Sequence, residues 1–211
     1  FVVVCVGVDC IPSYLPSRLG NTISDHAALI SIKKNSKKFK RFSFLERGSD
    51  ERQFCSEKVN LPICSIMSRK YGDYKEYHTS LDNMNYISAK GLRKSFKIIK
   101  DAILTLENTK MISNFIQVKK LKKNKKIFKK KNIYKNIYKY PCEPKLSNYG
   151  LRKSISFKTN YKFDKLVLNI LMLSDGENDL DKISKILKQK KSIIIKITKL
   201  LTKKKLLKCI Y

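Results

Sequence analysis

Between Gln117 and Lys139 the chain reads QVKKLKKNKKIFKKKNIYKNIYK, with eleven lysines and no acidic residue. A like-charge block of this kind behaves as a solvated loop rather than as core, so the folded parts of the chain are expected on either side of it. The distribution of charge draws the same partition. Residues 1–106 carry 18 basic and 10 acidic side chains, residues 107–160 carry 16 and 2, and residues 161–211 carry 13 and 5, within a net charge of +30. Hydrophobic residues make up 42% of the 211, too many for a wholly disordered polyelectrolyte, which lacks the apolar surface to offset backbone ordering.

The opening FVVVCVGV is an eight-residue apolar run, too short to span a bilayer and without a basic flank or a small-residue cleavage site. It reads as a buried strand, and a chain that starts inside a core strand reads as the back part of something longer. Six cysteines contain no CxxC pair, which excludes a zinc-ribbon signature and a disulfide framework and points to reduced thiols in a cytoplasmic setting.

A helix is predicted from about Thr22 to Lys33, capped by Asn21 or Thr22. RFSFLERGSDERQF is expected to be a strand running into a loop, and LPICSIMSRKYG a second short strand. From Gly91 to Asn108, Leu92, Phe96, Ile99, Ile103 and Leu106 recur at three and four, the pattern of a surface helix packing that face inward. The fold class is therefore α/β, a layered sandwich over the first half.

Catalytic groups of such sheets gather in loops at the carboxyl ends of strands. Three polar clusters occupy predicted loops: Asp9 with Ser17 and Arg18, then Glu46 to Gln53, then Glu76 to Asp82. His78 stands in the third with acids on both sides, and an imidazole oriented by carboxylates suits zinc; the alternative is a polar surface loop. His26 sits on the predicted helix among packing residues. The lysine block with Phe128, Tyr134 and Tyr138 could grip phosphates and stack on bases, but Lys, Asn, Ile, Tyr and Phe are also what AT-rich codons favour. Only seven of the 47 basic residues are arginine, which weighs against bidentate recognition.

The last fifty residues read as three short helices and a final strand, with Gly176 breaking the first helix and Asp179 capping the second. That is a winged helix-turn-helix pattern, and Lys190, Lys191, Lys196 and Lys199 on its third helix are candidate phosphate contacts. Ile193, Ile194, Ile197, Leu200 and Leu201 of the same helix give it a core face.

ERGSDERQFCSEKVNLPICSIMSRKYGDYKEYHTSLDN, followed by KYPCEPKLSNYGL and LMLSDGENDLDKISKIL, resembles the back half of bacterial aminopeptidase-like proteins of the zinc-dependent exopeptidase clan. These carry a C-terminal winged helix and are often labelled as polysaccharide-biosynthesis proteins. The resemblance implies that His78 of HTSLD binds zinc, with Asp82 beside it, and that SDERQF takes the place of the clan's Ser-Asp-His stretch. Glu46, Asp50, Glu51, Arg18, Tyr77, Thr79 and Asp82 would then line the site. The opening CVGVDCIPSYLPSR departs from the family, with Val8 where the family acid stands and Asp9 one place late, so Asp9 replaces that ligand only if the strand has already ended.

The implied reaction is hydrolysis of an N-terminal peptide bond or related amide, with zinc polarising the carbonyl and lowering the pKa of water. The remaining ligands and the general base of the clan fall before this chain's first residue. No catalytic residue is therefore expected within it, and the 211 residues alone are expected to be inactive. The implied organisation is a partial aminopeptidase-like α/β domain at 1–108, a lysine-rich insertion at 109–140, an extended segment at 141–160 returning to the α/β domain, and a winged helix at 161–211. Partners would be a peptide or amide substrate in the intact protein and non-specific nucleic acid through the lysines, with no membrane span. The alternatives are a nucleic-acid-binding protein with a relic enzyme half, or a decayed fragment without activity.

Overall fold

The computed structural model describes residues 1–48, 51–108, 132–152 and 161–211. The chain divides into two compact units, Phe1–Cys55 with Asn60–Lys125, and Ser56–Val59 with Lys126–Tyr211.

In the first unit, strands β1 (Val2–Val3), β2 (Ser13–Leu15), β3 (Lys40–Arg41) and β4 (Ser65–Met67) form a mixed sheet in the order β1-β4-β2-β3. β1 runs parallel to β4 and β3 parallel to β2, while β2 and β4 are antiparallel. Helices α1 (Ile23–Asn35) and α3 (Ala89–Glu107) pack on each other, and a short α2 (Glu51–Phe54) lies between β3 and β4 in sequence. Tyr14, Ala28, Ile32, Cys64, Ile66, Ile98 and Ala102 form the core. Thr22 caps α1 as expected, in a box completed by Asp25.

Three local expectations need correction. The apolar opening is a strand only over Val2–Val3: Cys5 and Gly7 take φ values of +50° and +107°, which breaks the ladder, and the chain then meets the end of β4 through the Ser68 amide on the Cys5 carbonyl at 3.1 Å and the Gly7 amide on Ser68 Oγ at 3.2 Å. The RFSFLE stretch is a strand only up to Arg41. Ser43 then accepts from the Leu45 amide at 3.3 Å while its own amide donates to Glu46 at 2.7 Å, and Phe44–Glu46 winds into a 3₁₀ turn. On α3 the buried row is Gly91, Ser95, Ile98 and Ala102, whereas Phe96 of the expected inward row is 66% exposed. Close approach explains the choice. A Cβ on Gly91 would lie 2.0 Å from the Gly7 carbonyl oxygen, so the small-residue row is the one that can meet its neighbours, and the larger side chains are left at the rim.

In the second unit, β5 (Ile133–Asn136) is the central strand between β6 (Asp175–Asp179) and β7 (Leu207–Cys209), both antiparallel to it. Helices α4 (Tyr161–Leu173), α5 (Leu180–Leu187) and α6 (Lys191–Lys203) bury Val167, Ile170, Leu171, Leu180, Ile183, Ile194, Ile197 and Leu201 with Leu206 and Leu207. Asp179 caps α5, accepting from the Lys182 amide at 2.7 Å. Gly176, expected to break the first helix, lies within β6 at φ +85°, and the helix ends at Leu173.

This unit begins before the expected boundary at 161. β5 lies inside the stretch assigned to the lysine-rich insertion, and Leu146 of the expected return segment joins the C-terminal core, together with Tyr138. Ile133 and Asn136 are buried while Lys135 faces outward, so the strand was concealed among lysines. Residues 56–59 belong here too: Asn136 Nδ2 donates to Glu57 Oε2 at 2.9 Å, Ser56 Oγ donates to the Pro141 carbonyl at 2.8 Å, and Lys58 lies 4.8 Å over the Tyr138 ring. Among the described residues no helix is long and apolar enough to cross a membrane.

Candidate functional site

In chain order, Asp9 follows β1, Ser17 and Arg18 follow β2, Glu46 and Glu51 follow β3, and Glu76 to Asp82 follow β4. After β4, the loop carries Tyr71, Tyr74, Tyr77 and Tyr86, whose rings hold it together. Tyr74 stacks on Tyr86 with centroids 5.4 Å apart, meets Tyr77 edge-on at 5.7 Å, and carries the Arg69 guanidinium at 5.6 Å from its ring. The Tyr71 hydroxyl accepts from the Gly48 amide at 2.9 Å, which ties this loop to the one carrying Glu46 and Glu51.

His78 sits at φ +60° in this loop, exposed, with its ring stacked on Tyr77 at 3.9 Å. Thr79 is spent locally, donating to the Glu76 carbonyl at 2.8 Å and accepting from the Leu81 amide at 3.3 Å. Asp82 is exposed. Asp9 is bound by Lys90 at 2.7 Å, and that hydrogen bond, opposed by desolvation, holds its carboxyl below the usual range. Glu46 caps the Ser43 amide, Arg18 is half-buried, and Asp50 lies outside the described residues.

Glu51 is buried, and its Oε1, 3.6 Å from Arg47 Nη1, has no hydrogen-bond partner among the described residues. Its charge and that of Asp82 both reach Cys5. Burial pushes the Cys5 thiol up, a hydrogen bond with the Tyr74 hydroxyl pulls it down, and the Asp82 and Glu51 charges push it up further. The structure thus brings Glu51, Tyr77 and Asp82 to the surroundings of Cys5 and Tyr74, two residues not singled out from the sequence. The tyrosine spacing 71, 74, 77 was the available signal. Arg47 and Asp25, both buried, were also missed.

Among the described residues no three His, Cys, Asp or Glu side chains converge closely enough to share a metal ion. Asp9 is neutralised by an ammonium, and the exposed His78 ring is engaged with Tyr77.

A mixed α/β unit followed by a winged helix-turn-helix is the class of protein that this fold defines, and comparison with known proteins agrees. Residues 1–109, more than half of the chain, match the family described as a domain of unknown function (DUF4910), and the chain belongs to that family. Residues 132–209 match the winged helix-turn-helix family. A Clostridium acetobutylicum protein named for polysaccharide biosynthesis and an aminopeptidase-like domain is 32% identical over 180 residues, covering 85% of this chain and 36% of its own length. The present chain thus spans about a third of that relative. A crystal structure from the same organism that bears the name of a peptidase aligns with a TM-score of 0.48 at 27% identity, over 99% of this chain and 41% of the other.

Proposed function

We propose that this chain supplies one part of an aminopeptidase-like fold whose activity, in a longer chain, is metal-dependent hydrolysis of N-terminal peptide bonds or related amides. By themselves the 211 residues do not turn over such a substrate. Kinship with the aminopeptidase-like relative supports the first statement. The second is carried by one observation: the two candidate ligands are engaged elsewhere, Asp9 with Lys90 and His78 with Tyr77. Incubation with zinc and an aminoacyl chromogenic substrate is expected to release no product above the no-protein control. Turnover abolished by His78→Ala would overturn the reading.

A second reading rests on the winged helix. Lys190 before α6 and Lys196 and Lys199 on it are exposed while Ile194, Ile197 and Leu201 are buried, and Lys191 is tied to Asp181 at 2.7 Å. Such a surface attracts phosphates through charge alone. Titration of duplex DNA is expected to show binding at low salt that is lost by physiological salt, and that is weakened by the double substitution Lys196→Gln, Lys199→Gln. A sequence preference persisting at physiological salt would identify a regulator instead.

A further inference from the structure

Helix α3 carries two rows that fit helical spacing, and its own unit uses one of them, Gly91, Ser95, Ile98 and Ala102, which pack inward. The other row is Leu92, Phe96, Ile99, Ile103 and Leu106. Leu92, Phe96 and Ile103 are 44%, 66% and 47% exposed, and Ile99 and Leu106 are half-buried. Single exposed apolar residues are ordinary on a protein surface, but a row of them in register along about 21 Å of one helix asks for a partner.

The spacing says what kind of partner. The row steps by four, three, four and three, which is the seam of a coiled coil, where successive apolar side chains face one neighbouring helix. A helix that lies in a bilayer surface needs a broader apolar face. Here one flank is Ser95 and Ala102, buried against the rest of the unit, and the other is Arg93, Lys97 and Lys100, all exposed, with Leu104 among them. That basic flank sets the sign. Arg93 donates from Nε to the Ala89 carbonyl of its own helix at 3.4 Å, and among the described residues no carboxylate pairs with Arg93 or Lys100. Asp101 is engaged by Lys34 and Asn35 at 3.4 and 2.7 Å, and Glu107 stands at the helix end. A second copy would bring the basic flank against itself, on a chain of net charge +30. The stretch from Gln117 to Lys139, without an acid, has the same wrong sign.

We propose that the row from Leu92 to Leu106 docks an amphipathic helix of a partner protein, one with an apolar seam and with acidic side chains opposite Arg93 and Lys100. Burial of the two seams supplies the affinity, and the charges fix register and choice of partner. The inference is independent of the peptidase reading.

The probe is a fluorescein-labelled peptide of three heptads with leucine at both seam positions and glutamate on both flanks, whose like charges keep it from pairing with itself. Titration with the full chain at physiological salt is expected to raise its anisotropy saturably, and to leave unmoved a peptide of the same composition in scrambled order. Phe96→Ser keeps the charge of the chain and is expected to weaken binding by about tenfold, which a general attraction to a basic protein would not show. The double substitution Arg93→Glu, Lys100→Glu is expected to abolish binding of the glutamate peptide and to admit its lysine-flanked counterpart. The substituted side chains are exposed, and far-ultraviolet circular dichroism verifies folding of both variants. Equal binding of the seam and scrambled peptides, an unchanged midpoint in folded Phe96→Ser, or an unchanged peptide preference in the folded double variant would overturn the proposal. Sedimentation velocity, and flotation with phosphatidylcholine–phosphatidylglycerol vesicles, test the other occupants. Self-association or vesicle binding at physiological salt that Phe96→Ser removes would assign the row to a second copy or to an anionic membrane, and would equally overturn it.

Discussion

Replacing Arg47 by alanine is expected to destabilise the first unit by about 3–5 kcal/mol, the usual consequence of breaking a buried ionic network from one side. The Arg47 side chain has no exposed surface. It donates to Ser65 Oγ at 3.0 Å and to the carbonyls of Leu15, Pro16 and Ile63 at 3.1, 2.9 and 3.3 Å, which ties β2 to β4 and to the segment before β4. Glu51 stands 3.6 Å away and is itself buried. Truncation leaves these buried acceptors without their donor and the Glu51 carboxylate without the Arg47 cation. Cys64 offers a local probe: burial, then the nearby Asp25 charge, push its thiol up to about 12, so it reacts only when the unit opens. Pulsed labelling of Cys64 in urea should move to a markedly lower midpoint in Arg47→Ala. Pairing Arg47→Met with Glu51→Gln should recover part of the loss, because the stranded charge is gone. A shift equivalent to less than about 1 kcal/mol, the value of an exposed pair, would contradict this account.

Asp25 is the second large effect, and it has a pH signature. Its buried carboxylate accepts from Tyr14 Oη at 2.6 Å, the Ser17 amide at 2.8 Å, Ser17 Oγ at 2.5 Å, the Thr22 amide at 2.8 Å and Thr22 Oγ1 at 2.7 Å. Burial pushes its pKa up, but the hydrogen bonds from Ser17, Tyr14 and Thr22 outweigh that and hold it below the ordinary carboxylate value. The sign follows. The folded state binds this proton less readily than the unfolded chain, so the stabilisation is fully present above the unfolded pKa of about 3.9 and is lost as pH falls through the lower folded value. Asp25→Ala is expected to cost about 3 kcal/mol at neutral pH by stranding several buried donors. It should also flatten the acid limb of stability below about pH 4. Asp25→Asn keeps the shape but sets an amide donor against other donors, and should lose most of the same stability. Urea midpoints at pH 7, 5 and 3 check this; an acid limb unchanged in Asp25→Ala would show that other groups control it.

Much of the secondary structure was legible because it depends on local chemistry. The Thr22 and Asp179 caps, the two long helices of the first unit and the three helices of the second follow from capping residues and three-four spacing. What was hidden depends on contacts distant in sequence. On α3 both the Leu92–Phe96 row and the Gly91–Ser95 row fit helical spacing, and only the approach of Gly7 selects the second. β5 was concealed because its buried Ile133 and Asn136 stand beside an exposed Lys135 in a lysine-rich stretch of sequence. Arg47 and Asp25 read as ordinary loop or helix polarity, since burial of an ion shows only when its partners assemble from separate segments. His78 stood out by motif and Asp9 as a departure from one, but neither pattern carries information about Lys90 or the Tyr77 ring.

Zinc binding by the purified chain tests the central claim most directly. After removal of metal, calorimetric titration with zinc is expected to give no site whose affinity depends on His78, so the curves of the unmodified chain and of His78→Ala should coincide. One tightly held zinc per chain, lost in His78→Ala and in Asp9→Ala, would mean that these residues converge on a metal in solution and would contradict the account.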